Sequence, residues 1–181
     1  PLVRNDGLQK YVNRVGMWLA LQTERPDLPW RFGVIDTPNV NAFAAPGGTI
    51  LITRGLYEKL RNESELAGVL AHEIAHVLQK HQLKAIKSAL GREWKMDIAA
   101  AAADRKDNSD ARNSLKAFTA GTELFARGLD KKDEHEADRM GVVIAARAGY
   151  NPYGLVGSLQ TLDAVNPQDG AMALMFKTHP T

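Results

Sequence analysis

A histidine pair in the middle of a helical segment constrains this chain more than any other feature. The motif H-E-x-x-H occupies positions 72–76, within residues 62–81, which carry strong helical signals. Residues four apart share one helix face, so His72 and His76 can bind one tetrahedral zinc ion. Glu73 is rotated about 100° from His72. It therefore lies beside the metal, as a general base for a zinc-bound water requires.

The helix that carries this motif is expected to be buried on most sides. Asn62 and Glu65 have the spacing of a capping box at its start. Apolar residues then cover more than one side of the helix: Leu66, Val69, Leu70, Ile74, Val77 and Leu78. A buried helix holds its side chains rigidly, which suits a metal site.

Composition narrows the class of protein. The 181 residues are enough for one compact domain, and 44% hydrophobic with 24% charged residues is typical of a soluble globular chain. The net charge of +2 comes without a dense basic run, which argues against a nucleic-acid partner. Since there is no cysteine, a zinc site must use histidine and carboxylate. No apolar run is long enough to span a membrane.

Hydrophobic periodicity predicts an α+β fold, mostly helical, with a small three-stranded antiparallel sheet. Helices are predicted at 7–24, 54–60, 62–96, 114–125, 131–147 and 153–165, and strands at 31–36, 40–45 and 49–53. The short loops between the strands suggest a meander. Residues 97–113 contain a charged run and are predicted to form a mobile loop that borders the cleft and gates access.

A catalytic zinc site needs a third protein ligand, and the sequence offers two sources. The extended pattern H-E-x-x-H-x-x-G-x-x-H fails, because Gln79 and Gln82 replace its glycine and histidine. His81 is nine residues after His72, about 180° around a continuous helix, and is predicted to be a surface residue.

The second source is a later helix with an acidic cluster. Glu134 and Asp138 are four apart, so Glu134 could bind zinc while Asp138 accepts an N–H from a ligand histidine. Glu136 points about 200° away from Glu134, toward the surface. Spacing alone is equally compatible with a solvated helix start, so it favours Glu134 only modestly.

Four blocks of the chain resemble one metallopeptidase family. They are N-A-F-A-A-P-G-G at 41–48, H-E-I-A-H at 72–76, E-H-E-A-D with a following glycine at 134–141, and T-H-P at 178–180. The chain is similar to the gluzincin-type family of the HtpX heat-shock protease, the type I CAAX prenyl endopeptidase and the envelope protease–chaperones of Gram-negative bacteria. The blocks occur in the family's order.

The resemblance implies a role for each matching residue. It implies one Zn²⁺ per chain bound by His72, His76 and Glu134, with Glu73 as catalytic base. Asp138 would then accept a hydrogen bond from the N–H of a ligand histidine. The chain would be a zincin-like catalytic domain.

Two further blocks are implicated by resemblance. Asn41, Ala42 and Phe43 match a strand at the edge of the family's small sheet, and would bind an extended substrate by strand addition. His179 matches a late histidine of the family. It would either stabilise the oxyanion or occupy the fourth zinc position.

The expected function is zinc-dependent hydrolysis of unfolded or misfolded polypeptides in protein quality control, with a glutamate-activated, zinc-bound water as nucleophile. The alternative is a zinc-stabilised, chaperone-like module that binds peptides and cuts little. Residues 1–181 are expected to be a single catalytic domain, excised from a longer protein. The resemblance implies a place in the bacterial cell envelope, periplasmic or lipoprotein-anchored, with polypeptide substrates as partners.

Overall fold

Five helices and one three-stranded sheet form the part of the chain that the computed structural model describes, residues 1–81 and 131–165. In chain order the elements are α1 (Asp6–Ala20), β1 (Arg31–Ile35), β2 (Ala42–Ala45), β3 (Thr49–Thr53), α2 (Arg54–Tyr57), α3 (Glu63–Leu78), α4 (Lys131–Arg147) and α5 (Gly154–Val165). None of these described helices has both the length and the apolarity needed to cross a membrane. The α+β class predicted from the sequence is confirmed.

The sheet is mixed, so the predicted antiparallel meander is wrong. β3 is the central strand, pairing in parallel with β1 and antiparallel with β2. Its β-branched residues Ile50 and Ile52 are fully buried, which explains why this strand takes the middle position. As a consequence β2 lies at an edge of the sheet, which a meander would not allow.

Helix α3 is the centre of the described fold. Asn62 caps its start by accepting a hydrogen bond from the Glu65 backbone N–H at 3.0 Å. The Glu65 carboxylate accepts hydrogen bonds from the backbone N–H and the guanidinium of Arg61, rather than from the backbone N–H of Asn62. The predicted capping box is therefore only half formed. Every residue of α3 from Glu65 to Val77 is buried, as the wide apolar surface predicts.

Two glycines let neighbouring helices approach α3 closely. A Cβ atom at Gly68 would lie 2.3 Å from the backbone nitrogen of Leu155, at the start of α5. A Cβ atom at Gly141 on α4 would lie 3.0 Å from the backbone nitrogen of His72. The absence of side chains at these positions therefore sets how near α4 and α5 come to the motif helix.

The close approach at Gly68 can be tested by substitution. Gly68→Ala should lower the free energy of unfolding by about 1–3 kcal/mol, because backbone atoms of α5 must move away from the added methyl group. Urea denaturation followed by circular dichroism would measure this change.

Gly7→Ala provides the control. Gly7 is an exposed helical glycine whose nearest obstacle is the side-chain oxygen of Asn5 at 3.3 Å. This variant should stay within about 0.5 kcal/mol of the native chain, as surface changes usually do. Equal denaturation midpoints for the Gly68 and Gly7 variants would contradict the proposed close packing.

Candidate metal centre

Three potential ligand atoms from two helices converge in the interior. His72 and His76 lie one turn apart on α3, with their Nε2 atoms 2.8 Å from each other. Glu134, in the first turn of α4, places Oε2 3.5 Å from Nε2 of His72 and 3.7 Å from Nε2 of His76. All three residues are buried, and the three atoms lie within 4.8 Å of one another.

This arrangement fits a zinc ion in both spacing and chemistry. Ligand atoms about 2.0–2.1 Å from a tetrahedral zinc are separated from one another by about 3.3 Å. The observed separations of 2.8 to 3.7 Å lie on either side of that value. Two imidazole nitrogens and one carboxylate oxygen are also an established donor set for catalytic zinc.

The charges in the cluster favour a cation between the helices. Burial lowers the pKa of His72, but contacts with the Asp138 and Glu134 carboxylates outweigh it and raise that pKa to about 10. Burial raises the pKa of Glu134, but His72 and His76 outweigh it and hold that pKa well below its ordinary value. The carboxylates thus stabilise positive charge on the imidazole, as they would stabilise a metal ion in its place.

Asp138 lies where the sequence predicts a supporting residue. Its Oδ1 atom is 3.0 Å from Nδ1 of His72, on the side of the ring away from Glu134. A contact of this kind keeps the proton on Nδ1 and leaves Nε2 available as a ligand. The spacing of four residues on α4 therefore brings one carboxylate to each nitrogen of the same imidazole.

Glu73 follows His72 on α3 and is also buried, with 8% of its surface exposed. As the next residue on the helix, it occupies the face adjacent to that of the two histidines. The sequence predicted this placement beside the ligands.

Strand β2, which contains Ala42 and Phe43, has an outer edge that faces away from β3. Asn41 precedes this strand, and its carbonyl accepts a hydrogen bond from the Thr53 backbone at 2.9 Å. By alternation, Ala42 and Ala44 direct their backbone N–H and C=O groups toward the outer edge. Within residues 1–81 and 131–165 no strand pairs with that edge.

Four predicted features lie outside the described residues. These are His179, expected near the metal, the loop at 97–113, the helix at 114–125, and the part of the predicted helix 62–96 that follows residue 81. All four stay predictions.

His81 was predicted to lie on the surface, and this is wrong. It is fully buried, and its Nδ1 atom lies 2.9 Å from Nδ1 of His76. The prediction assumed that the motif helix continues past residue 81, whereas α3 ends at Leu78 and Lys80 has a φ of +56°. This left-handed residue interrupts the helical path before His81, so the helical wheel no longer applies. No glycine or asparagine marks the turn in the sequence.

Known proteins that are similar to this chain are peptidases. The sequence pattern of peptidase family M48 matches residues 6–181. The β-barrel assembly-enhancing protease of Escherichia coli K12 is 30% identical over 165 residues, which are 90% of this chain and 34% of that protein. Mitochondrial metalloendopeptidase OMA1 of Schizosaccharomyces pombe is 32% identical over 171 residues, which are 94% of this chain and 49% of that protein.

Metalloprotease YcaL of Escherichia coli K12 is 31% identical over 152 residues, which are 84% of this chain and 58% of that protein. The chain covers 34% of the β-barrel assembly-enhancing protease, about a third of its length. Since the family pattern covers nearly the whole sequence and these relatives are named as proteases, the chain belongs to peptidase family M48, a family of metallopeptidases.

Proposed function

We propose that this chain is the catalytic domain of a zinc-dependent endopeptidase that hydrolyses unfolded or misfolded polypeptides. The observation that carries the proposal is the convergence of His72, His76 and Glu134 from two separate helices. Three buried ionisable groups are costly to bring together unless a charge partner compensates them. A divalent cation is the compensation that their chemistry fits.

His72, His76 and Glu134 would hold the ion, and Asp138 would fix the tautomer of His72. When bound, zinc supplies Lewis-acid chemistry, lowering the pKa of a water molecule to about 7 and polarising a carbonyl group. Three protein ligands leave the fourth position available for such chemistry.

Glu73 carries the proton in the proposed reaction. Its carboxylate accepts a proton from the attacking water and then donates it to the nitrogen of the departing amine. Burial beside His72 keeps the carboxylate close to the reacting atoms. A site with a purely structural role would have no use for a base at this position. His179 is proposed either to stabilise the oxyanion or to take the fourth zinc position.

Strand β2 is proposed to bind the polypeptide substrate. Its outer edge offers the backbone groups of Ala42 and Ala44, and an extended chain could pair with them as an added strand. Because main-chain pairing is largely independent of side chains, it suits unfolded substrates of varied sequence. The side-chain oxygen of Asn41 accepts a hydrogen bond from the Ala42 N–H at 2.9 Å. This bond would break when a substrate strand pairs with Ala42.

A bacterial envelope location is part of the proposal. Proteases named for enhancing β-barrel assembly in Escherichia coli, Yersinia pestis and Vibrio cholerae are among the relatives. Their names support a place for this chain in envelope protein quality control. A periplasmic or lipid-anchored form of the longer protein is proposed on the same ground.

Metal binding is the first test. The native chain should bind one zinc ion, and Glu134→Gln should weaken binding by more than the 10–100-fold typical of losing a supporting partner. Chelator competition measures both affinities. His135→Asn, at an exposed neighbouring position on α4, is the control and should bind as the native chain does. Unchanged affinity in the Glu134 variant would remove it from the ligand set.

The role of Glu73 is tested by Glu73→Gln, which keeps the size of the side chain but not its basicity. We expect zinc to be retained and casein cleavage to fall by about 10²–10⁴-fold, the usual contribution of a general base. Glu58→Gln is the control, because the Glu58 side chain is 57% exposed and pairs with Arg54. If the Glu73 variant cleaved at the native rate, the mechanism would be wrong. If the native chain bound unfolded protein without cleaving it, the chaperone-like alternative would replace the peptidase.

Strand addition is tested by removing one outward N–H group. Ala44→Pro deletes that donor while leaving the bonds between β2 and β3 intact. Its KM for unfolded polypeptide should rise about 10-fold, the cost of roughly one hydrogen bond of 1.5 kcal/mol. Ala44→Ser retains the N–H at similar size and should keep the native KM. Equal KM values for the two variants would argue against substrate pairing at this edge.

A further inference from the structure

We propose that His81 is a positioning residue for the metal site, which accepts the Nδ1 proton of His76 and thereby holds that imidazole as a zinc ligand. The inference rests on the proposed binding of zinc by His72, His76 and Glu134. It assigns a role to a buried histidine that the H-E-x-x-H motif does not contain.

The contact between the two imidazoles has the geometry of a hydrogen bond. Nδ1 of His81 lies 2.9 Å from Nδ1 of His76, and the two rings meet at 71° with centroids 5.1 Å apart. His81 has no exposed surface and His76 only 3%, so bulk water does not compete at this contact. A hydrogen bond in such surroundings is strong, and an unsatisfied donor there is costly.

Counting protons fixes the direction of this bond. A neutral imidazole carries one proton, and a metal on Nε2 of His76 leaves that proton on Nδ1. The Nδ1 atom of His76 must then donate, so the Nδ1 atom of His81 must accept. It follows that the proton of His81 resides on Nε2.

The surroundings of Nε2 of His81 agree with a proton there. Oδ1 of Asp133 is 3.5 Å away and Oε2 of Glu136 is 3.7 Å away, both on α4. Two carboxylates on this side of the ring favour the Nε2–H tautomer electrostatically. The result is a chain of contacts from the α4 carboxylates through His81 to His76.

Each ligand histidine thus has its own supporting group. Nδ1 of His72 faces Asp138 directly, whereas Nδ1 of His76 faces His81, which in turn faces Asp133 and Glu136. Partners of this kind orient the ring and raise its basicity as a ligand. The carboxylates that support the two ligand histidines all come from the first two turns of α4.

The same proton count argues against a second metal at His81, Asp133 and Glu136, although their ligand atoms are also close together. A metal on Nε2 of His81 would move its proton to Nδ1. Two N–H groups would then face each other across 2.9 Å, and the contact would be repulsive. Zinc on His76 and a metal on His81 are therefore mutually unfavourable.

The backbone directs His81 into this position. Lys80 adopts a left-handed conformation with φ of +56°, and its N–H donates to the carbonyl of Val77 at 3.1 Å. A non-glycine residue in this region has a conformational cost, which the surrounding structure must offset. The buried contact of His81 with His76 is an interaction that can do so.

The test compares zinc affinity in the full chain with His81→Leu and His81→Asn. Leucine removes the acceptor, and zinc affinity should fall about 10–100-fold. Asparagine can place Oδ1 near the position of the histidine Nδ1, so it should recover most of the lost affinity. Lys80→Gly, which alters the same turn but not the contact, should bind zinc as the native chain does.

The tautomer of His81 in the native, zinc-loaded chain provides a readout that needs no variant. Long-range ¹H–¹⁵N spectra should show His81 protonated on Nε2 and His76 protonated on Nδ1. A proton on Nδ1 of His81, a second bound zinc, or equal affinities in the leucine and asparagine variants would overturn the role of His81. If the native chain bound no zinc at all, the metal site itself would be refuted, which is a different and separable result.

Discussion

The packing of α4 against α3 is the contact on which the rest of the site depends. Helix α3 supplies both histidines, but a pair of imidazoles alone cannot complete a zinc site. Gly141 lets α4 approach so closely that a Cβ there would lie 3.0 Å from the His72 backbone. Two turns earlier on the same helix, Glu134 reaches the histidine pair. The third ligand therefore depends on how two helices pack.

Burial makes the ionisable groups of this cluster energetically costly unless a charge partner compensates them. Glu134, His72 and His76 have exposed fractions of only 2–3%, so water stabilises none of them well. Each must find its charge partner inside the protein, and a cation at their centre would serve all three at once. His81 is buried as well, which makes its contact with His76 structurally significant. Polar groups in this interior thus form a connected network around the proposed metal.

Strand order decides whether β2 lies at an edge of the described sheet, as the proposed binding of a polypeptide there requires. In an antiparallel meander β2 would be the middle strand, with both edges paired. The observed order β1-β3-β2 instead leaves one side of β2 without a neighbouring strand among residues 1–81 and 131–165. The described sheet places β2 at an edge, as the family resemblance implies, and substrate binding there stays a proposal, while the periodicity-based prediction of a meander is wrong. Alternation along a strand reveals its faces but not its neighbours.

The sequence by itself determined the two helices that carry the site and the side chains that share a face on each of them. Spacing of four placed His72 with His76 and Glu134 with Asp138, because helical periodicity is a local property of the chain. Only the tertiary structure decided which strand lies at the sheet edge and where His81 points. Strand order depends on contacts distant in sequence, and the direction of His81 depends on one left-handed backbone angle at Lys80. Neither is encoded in a residue pattern that periodicity can detect.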